Sequence, residues 1–192
     1  MPRLFVALTI PPDVAGTLAA LVPPELPGVR RIAPELLHVT LAFLGATPEE
    51  RVPAVVDAAG AAARGGAPFR IGIERVGRFP PSGRVRVVWA GIGEGAPATL
   101  ELGRRVREEL ERRRLPYDPK PLRPHVALAR VREEVGPDEG RRISLTTASL
   151  TVPAGLGFET TAVDVMESVP GPRGPRYSSR ARLPLGGRAG AG

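Results

Sequence analysis

Apolar and polar positions alternate between two periods along this chain, and the period changes at turn residues. The opening run Arg3-Leu-Phe-Val-Ala-Leu-Thr-Ile10, stopped by Pro11-Pro12, reads as a buried strand. Val14, Leu18, Leu21 and Val22 then recur at helical spacing. A second strand is predicted from Leu36 to Leu44, ended by Gly45. Thr47-Pro-Glu-Glu50 supplies an N-cap, a proline at N1 and a glutamate at N3 for a helix running to about Ala63. Val52, Val55, Val56 and Ala59 form its apolar stripe, and Gly65-Gly66 closes it in the manner of a glycine cap.

Phe69 to Val76 and Val85 to Ile92 are predicted as a hairpin joined by Pro80-Pro-Ser-Gly83. The clearest helix spans Pro97 to Arg114, with Leu102, Val106 and Leu110 in register. Its Glu101-Arg105, Glu108-Arg112 and Glu109-Arg113 spacings suit i,i+4 pairing, so its arginines read as a solvated face. Strands follow at Pro124–Val131, Ser149–Val152, Phe158–Ser168 and Tyr177–Leu185, and Gly186 to Gly192 is expected to be a disordered tail. Early alternation of strands and helices, then accumulation of strands, argues for an α+β domain with antiparallel sheets. Gly91-Ile-Gly93 lacks the strand-loop-helix setting of a nucleotide-binding loop.

Composition narrows the chemistry. At 192 residues with 42% hydrophobic content the chain is sized for one domain with a real core. The absence of cysteine excludes disulfides, thiolate nucleophiles and Cys-ligated zinc, which suits a cytoplasmic home. No run has the length of a membrane span, and the first residues lack the layout of a signal peptide. The net charge of +7 is carried almost wholly by arginine, Lys120 being the sole lysine, and it fits a polyanionic partner without proving one.

The chain has only two histidines, and both sit in the same setting: His38-Val-Thr-Leu41 and His125-Val-Ala-Leu128. Strand alternation sends His38 and Thr40 to one face and Val39, Leu41 and Phe43 to the other. It likewise groups Arg123, His125 and Ala127. Two imidazoles meeting across a cleft suit phosphodiester cleavage, where one takes a proton from the nucleophile and the other gives one to the leaving oxygen. Two histidines without a carboxylate motif are too few for a convincing zinc site, so neither metal nor cofactor is expected. Thr40 is a candidate hydroxyl donor to phosphate, and Arg123 a candidate cation on the His125 face. Arg130 points away from His125 by strict alternation and would reach the cleft only through a bulge or bend.

These motifs resemble the 2H phosphoesterase superfamily, marked by two His-x-Thr/Ser-x motifs, and within it the bacterial and archaeal RNA 2′,3′-cyclic phosphodiesterases, also called 2′-5′ RNA ligases. The likeness extends to Arg3-Leu-Phe-Val-Ala-Leu8, Leu37-His-Val-Thr-Leu-Ala-Phe-Leu-Gly45, Phe79-Pro80, Val88-Trp89, Arg123-Pro-His-Val-Ala-Leu-Ala-Arg130 and Gly174-Pro-Arg-Tyr177. It implies a single bilobal domain over residues 1–185, each lobe an antiparallel sheet carrying one motif, related by a pseudo-twofold axis. It implies His38 as proton donor, His125 as proton acceptor and Thr40 as a phosphate ligand. The implied partner is RNA ending in a 2′,3′-cyclic phosphate, such as a tRNA fragment, handled by a cytoplasmic monomer without cofactor or membrane. The second motif departs from the pattern, because Ala127 stands where the superfamily has Thr or Ser. That departure leaves two alternatives open: an RNA-end binding protein with little turnover, or a phosphodiesterase acting on a small cyclic phosphate.

Overall fold

The computed structural model describes residues 1–171 and 174–186. Its first strand, β1 (Arg3–Thr9), is apolar on both faces and almost wholly buried. Helix α1 (Pro12–Ala20) follows, then the three-residue strand β2 (Val29–Arg31), which the sequence pattern did not disclose. A single 3-10 turn at Pro34–Leu36 delivers the chain to β3 (His38–Ala46). Gly45 does not end this strand. It adopts a φ of 72° within it, at a bulge where Leu4 pairs with Gly45 and Phe5 with Phe43.

Helix α2 (Val52–Arg64) starts later than the capping pattern suggested, after a 3-10 turn at Glu49–Arg51. Pro53 has no N–H to give the carbonyl of Glu49, which accepts from Val52 instead. Thr47 turns its hydroxyl back to the carbonyl of Gly45, 3.1 Å away, and caps nothing. At the other end Gly65 keeps a right-handed φ of −79°, so the helix closes without a left-handed glycine.

The hairpin is present as β4 (Phe69–Phe79) and β5 (Val87–Ile92), and the long helix as α3 (Ala96–Arg112). Strand β6 (His125–Val131) carries the second histidine motif. The stretch before Leu150 is helix α4 (Pro137–Ser149), not the approach to a strand at Ser149–Val152. Only Ile143 and Thr147 of this helix are buried, which leaves almost no apolar stripe to read. The run from Phe158 to Ser168 divides at Thr161 into β7 (Gly157–Thr160) and β8 (Ala162–Val169), and β9 (Arg176–Pro184) follows. Of the expected tail, all but Gly186 lies outside the described residues.

Among the described residues the strands form one nine-stranded antiparallel sheet in the order β7-β4-β5-β6-β3-β1-β8-β9, with β2 added alongside β6. The two sheets expected from sequence are therefore halves of one. They meet where β3 and β6 join through the pair Val39–Val126. Thr161 alone separates β7, at one edge, from β8, next to the other edge. Since a single residue spans less than 4 Å, the sheet must curl until its ends approach each other. Helices α2 and α3 pack together, α2 against β8 and β9 and α3 against β3. Leu4, Val6, Leu8, Val39, Leu41, Val126 and Leu128 belong to the core. At seven positions of burial like these, each worth about 1.5–3 kcal/mol, register is strongly fixed. The alternate positions His38, Thr40, His125 and Ala127 are thereby held on the opposite face. Bulges at Leu41 and Leu128 then change the phase and turn Phe43, which alternation had placed in the core, and Arg130 toward that face as well.

Candidate active site

Each histidine is the first residue of its strand, and each is held by the carbonyl two residues earlier. His38 Nδ1 donates to the carbonyl of Leu36 at 2.8 Å, and His125 Nδ1 to that of Arg123 at 2.6 Å. A carbonyl can only accept, so the proton sits on Nδ1 in both rings and Nε2 is left free for chemistry. The 3-10 turn at Pro34–Leu36 serves this purpose locally, by aiming the Leu36 carbonyl at the ring that follows.

Aromatic side chains wall both imidazoles. Phe5 and Tyr177 stand 4.8 and 5.4 Å from the His38 ring, and Phe79 and Trp89 stand 5.2 and 6.3 Å from the His125 ring. Trp89 fits because Gly77 lies against it, where a Cβ would approach its ring to 2.3 Å. This apolar enclosure strips water from both rings and lowers both pKa values below the ordinary 6.5, partly offset by the carbonyl hydrogen bonds. The charges of His125 and Arg130 push His38 further down, and Arg130 does the same to His125.

One cavity of about 310 Å³ brings His38, Thr40, His125, Ala127 and Arg130 together. Thr40 also faces a neighbouring cavity, and among the described residues its hydroxyl has no protein partner. Arg130 reaches the cleft through a bulge: Val88 pairs with Ala129 but Trp89 with Ala127, so Leu128 is passed over and the alternation changes phase. Arg123 does not line this cavity. The strand begins only at His125, so alternation does not govern position 123, and Arg123 lines instead the neighbouring cavity, which His125 and Thr40 also line together with Lys120 and Asp118.

Phe5, Arg30, Arg31 and Tyr177 also line the cavity, and sequence reading singled out none of them for a role there. The adjacent pair Arg30-Arg31 was the available signal for two of them. Among the described residues there is no group of three or more His, Asp or Glu side chains arranged to hold a metal ion, and no helix is long and apolar enough to cross a membrane.

Comparison with known proteins follows the same lines. Residues 8–89 match the model of the LigT-like phosphoesterase family. The chain is similar to the RNA 2′,3′-cyclic phosphodiesterase of Thermus thermophilus, with 34% identity over 196 aligned positions that cover 98% of this chain and 92% of that protein. It is 35% identical to the protein of the same name from Archaeoglobus fulgidus over 138 positions, covering 69% of this chain and 74% of the relative. In three dimensions it resembles the crystal structure of TT0787 from Thermus thermophilus, with a TM-score of 0.79 and 30% identity over 97% of this chain and all (100%) of that one. It also resembles Escherichia coli LigT complexed with 3′-AMP, with a TM-score of 0.73 and 25% identity over 96% of this chain and 98% of that one.

Proposed function

This chain belongs to the LigT-like phosphoesterase family, and on that premise we propose that it hydrolyses RNA 2′,3′-cyclic phosphate ends to 2′-phosphates by paired histidine catalysis. The observation that carries the reading is the matched tethering of His38 and His125, whose Nδ1 atoms are both committed to backbone carbonyls while Nε2 is spared. His125 takes the proton of the attacking water as the water oxygen bonds to phosphorus. The bond from phosphorus to the 3′-oxygen breaks, and His38 protonates that oxygen. Thr40 and Arg130 hold the phosphoryl oxygens, where a preformed donor stabilises the charge that builds up in the transition state. Replacing water with a 5′-hydroxyl in the same geometry gives 2′-5′ ligation.

The two halves of the sheet, each carrying one histidine at a strand start, support a bilobal reading with a pseudo-twofold axis through the β3–β6 seam. We read the protein as a monomer without metal or cofactor, acting in the cytoplasm on ends such as those of tRNA fragments. Incubation with RNA ending in a 2′,3′-cyclic phosphate, in excess chelator, tests the core of this proposal. The expected product is a terminal 2′-phosphate, formed at an undiminished rate in chelator and abolished by His125→Ala. The competing reading, an RNA-end binding protein, draws on Ala127, which brings no hydroxyl to the cavity. Tight binding of the cyclic end with no product after long incubation would favour it.

A further inference from the structure

Arg30 of β2 and Arg130 of β6 are paired residues on adjacent antiparallel strands, and both line the histidine cavity, as does Arg31. Like charges placed directly opposite each other destabilise a sheet. Nothing local neutralises them: no Asp or Glu lines this cavity. The pattern continues outward along one direction. Two residues beyond Arg130, the backbone N–H of Arg132 donates to the Gly28 carbonyl at 2.9 Å, and the Arg84 guanidinium donates to the Arg132 carbonyl at 2.8 Å. Arg84 in turn lines a second cavity together with Arg78 and Arg141, beside the start of α4, and no Asp or Glu lines that cavity either.

Among the described residues none of these arginines takes part in an ion pair, whereas Arg104, Arg105 and Arg112 on α3 and Arg113 at its C-cap are all paired with glutamates. The carboxylates that follow Arg132 in the chain, Glu133, Glu134, Asp138 and Glu139, line neither cavity. On the other side of the histidines two of the three cations lining the neighbouring cavity are already occupied, Arg123 being the third. Lys120 pairs with Asp118 at 2.9 Å, and Arg107 donates to the Leu41 and Lys120 carbonyls, so they secure their own segment.

We propose that this line of uncompensated arginines, from Arg30 and Arg130 through Arg132 to Arg84 and Arg141, is the track for the phosphate backbone of the RNA body, 5′ to the reacting end. The assignment rests on the function proposed above and adds to it the surface along which the body of the RNA lies. Arg130 and Arg132 are two residues apart where the pairing with β2 continues to Gly28, a separation of about 6.6 Å in extended chain that suits neighbouring phosphates. Such contacts are independent of base sequence and weaken with salt.

The test measures equilibrium binding of labelled single-stranded RNAs of about two to about eight nucleotides ending in a 2′-phosphate, which are not turned over. Affinity is expected to rise with length. In Arg84→Gln/Arg141→Gln the long RNAs should bind roughly threefold more weakly per arginine removed, and log affinity should fall less steeply with log salt, by about 0.7 per arginine. The charge-matched variant Arg105→Gln/Arg112→Gln on α3 should leave binding unchanged. Affinity that does not depend on length, or an equal loss in the α3 variant, overturns the track. Turnover of a cyclic mononucleotide separates the two claims, because it does not extend to Arg84 or Arg141. If that turnover is normal in wild type and in Arg84→Gln/Arg141→Gln but length has no effect on binding, the track alone falls. If no cyclic phosphate is cleaved while the length and arginine effects persist, the hydrolytic reading falls and the track stands.

Discussion

Val39 of β3 and Val126 of β6 are paired across the seam of the sheet. In antiparallel strands the residue before one member of a pair stands opposite the residue after the other. His38 is therefore opposite Ala127, and Thr40 is opposite His125. Thr40 and His125 line one cavity, and a hydroxyl added at position 127 would stand opposite His38.

That geometry gives Ala127→Thr a definite outcome. Position 127 lines the cavity in a strand that suits a β-branched residue, so folding should be unchanged. Hydrolysis of a cyclic-phosphate RNA should rise about tenfold, the equivalent of ~1.4 kcal/mol from one added donor in the transition state. Single-turnover rates of the two proteins, with circular dichroism as a check on folding, decide the matter.

Arg130→Gln should slow the chemical step roughly 100-fold, in the range seen when one preformed donor to a developing oxyanion is lost. It should also raise the pKa of both histidines, because the Arg130 charge holds both down. Arg130→Lys should restore the histidine titration but not the full rate, since an ammonium cannot offer two parallel N–H groups to phosphate. Histidine titration by NMR read beside the rate separates these contributions.

The rate profile with pH follows from the direction of the histidine shifts. The proposed acid–base pairing needs one imidazole neutral and the other protonated. Burial lowers both pKa values below 6.5, so the scarce species at neutral pH is the protonated donor. The bell of kcat/KM should therefore have its maximum on the acid side of 6.5 and fall as pH rises. A phosphate anion in the cavity favours the charged imidazole, so saturating inorganic phosphate should raise both histidine pKa values, read by NMR titration with and without it.

Stability should respond in the opposite sense. Between the lowered native pKa values and the ordinary 6.5, the unfolded chain binds more protons than the native one, so stability increases with pH across that window. The histidine contribution is thus fully present above 6.5 and is lost as pH falls through the native values. In thermal unfolding scans from pH 7 downward, His38→Gln/His125→Gln should lose less of its melting temperature than wild type does.

Much of the site could be read from the chain itself because it depends on local chemistry. The repeated His-Val-x-Leu setting, the alternation that puts Val39 and Val126 in the core, and the glutamate–arginine spacing of α3 are all decided by residues within a few positions of one another. The departure at Ala127 was equally plain. Other features depend on partners distant in sequence. Arg130 is brought into the cleft by a bulge set against β5, and Arg30 is brought opposite it by a three-residue strand too short to show a period. Arg123 lies ahead of the strand whose alternation seemed to place it. Helix α4 stayed hidden because it buries so little. A sequence determines which residues prefer the core and which strand faces are polar, since those preferences are carried by each side chain and its near neighbours. The phase of an alternation after a bulge, and the closure of the sheet that brings Tyr177 and Arg30 to His38, were decided only by tertiary packing, because they arise from pairing energies between segments that meet once the chain has folded.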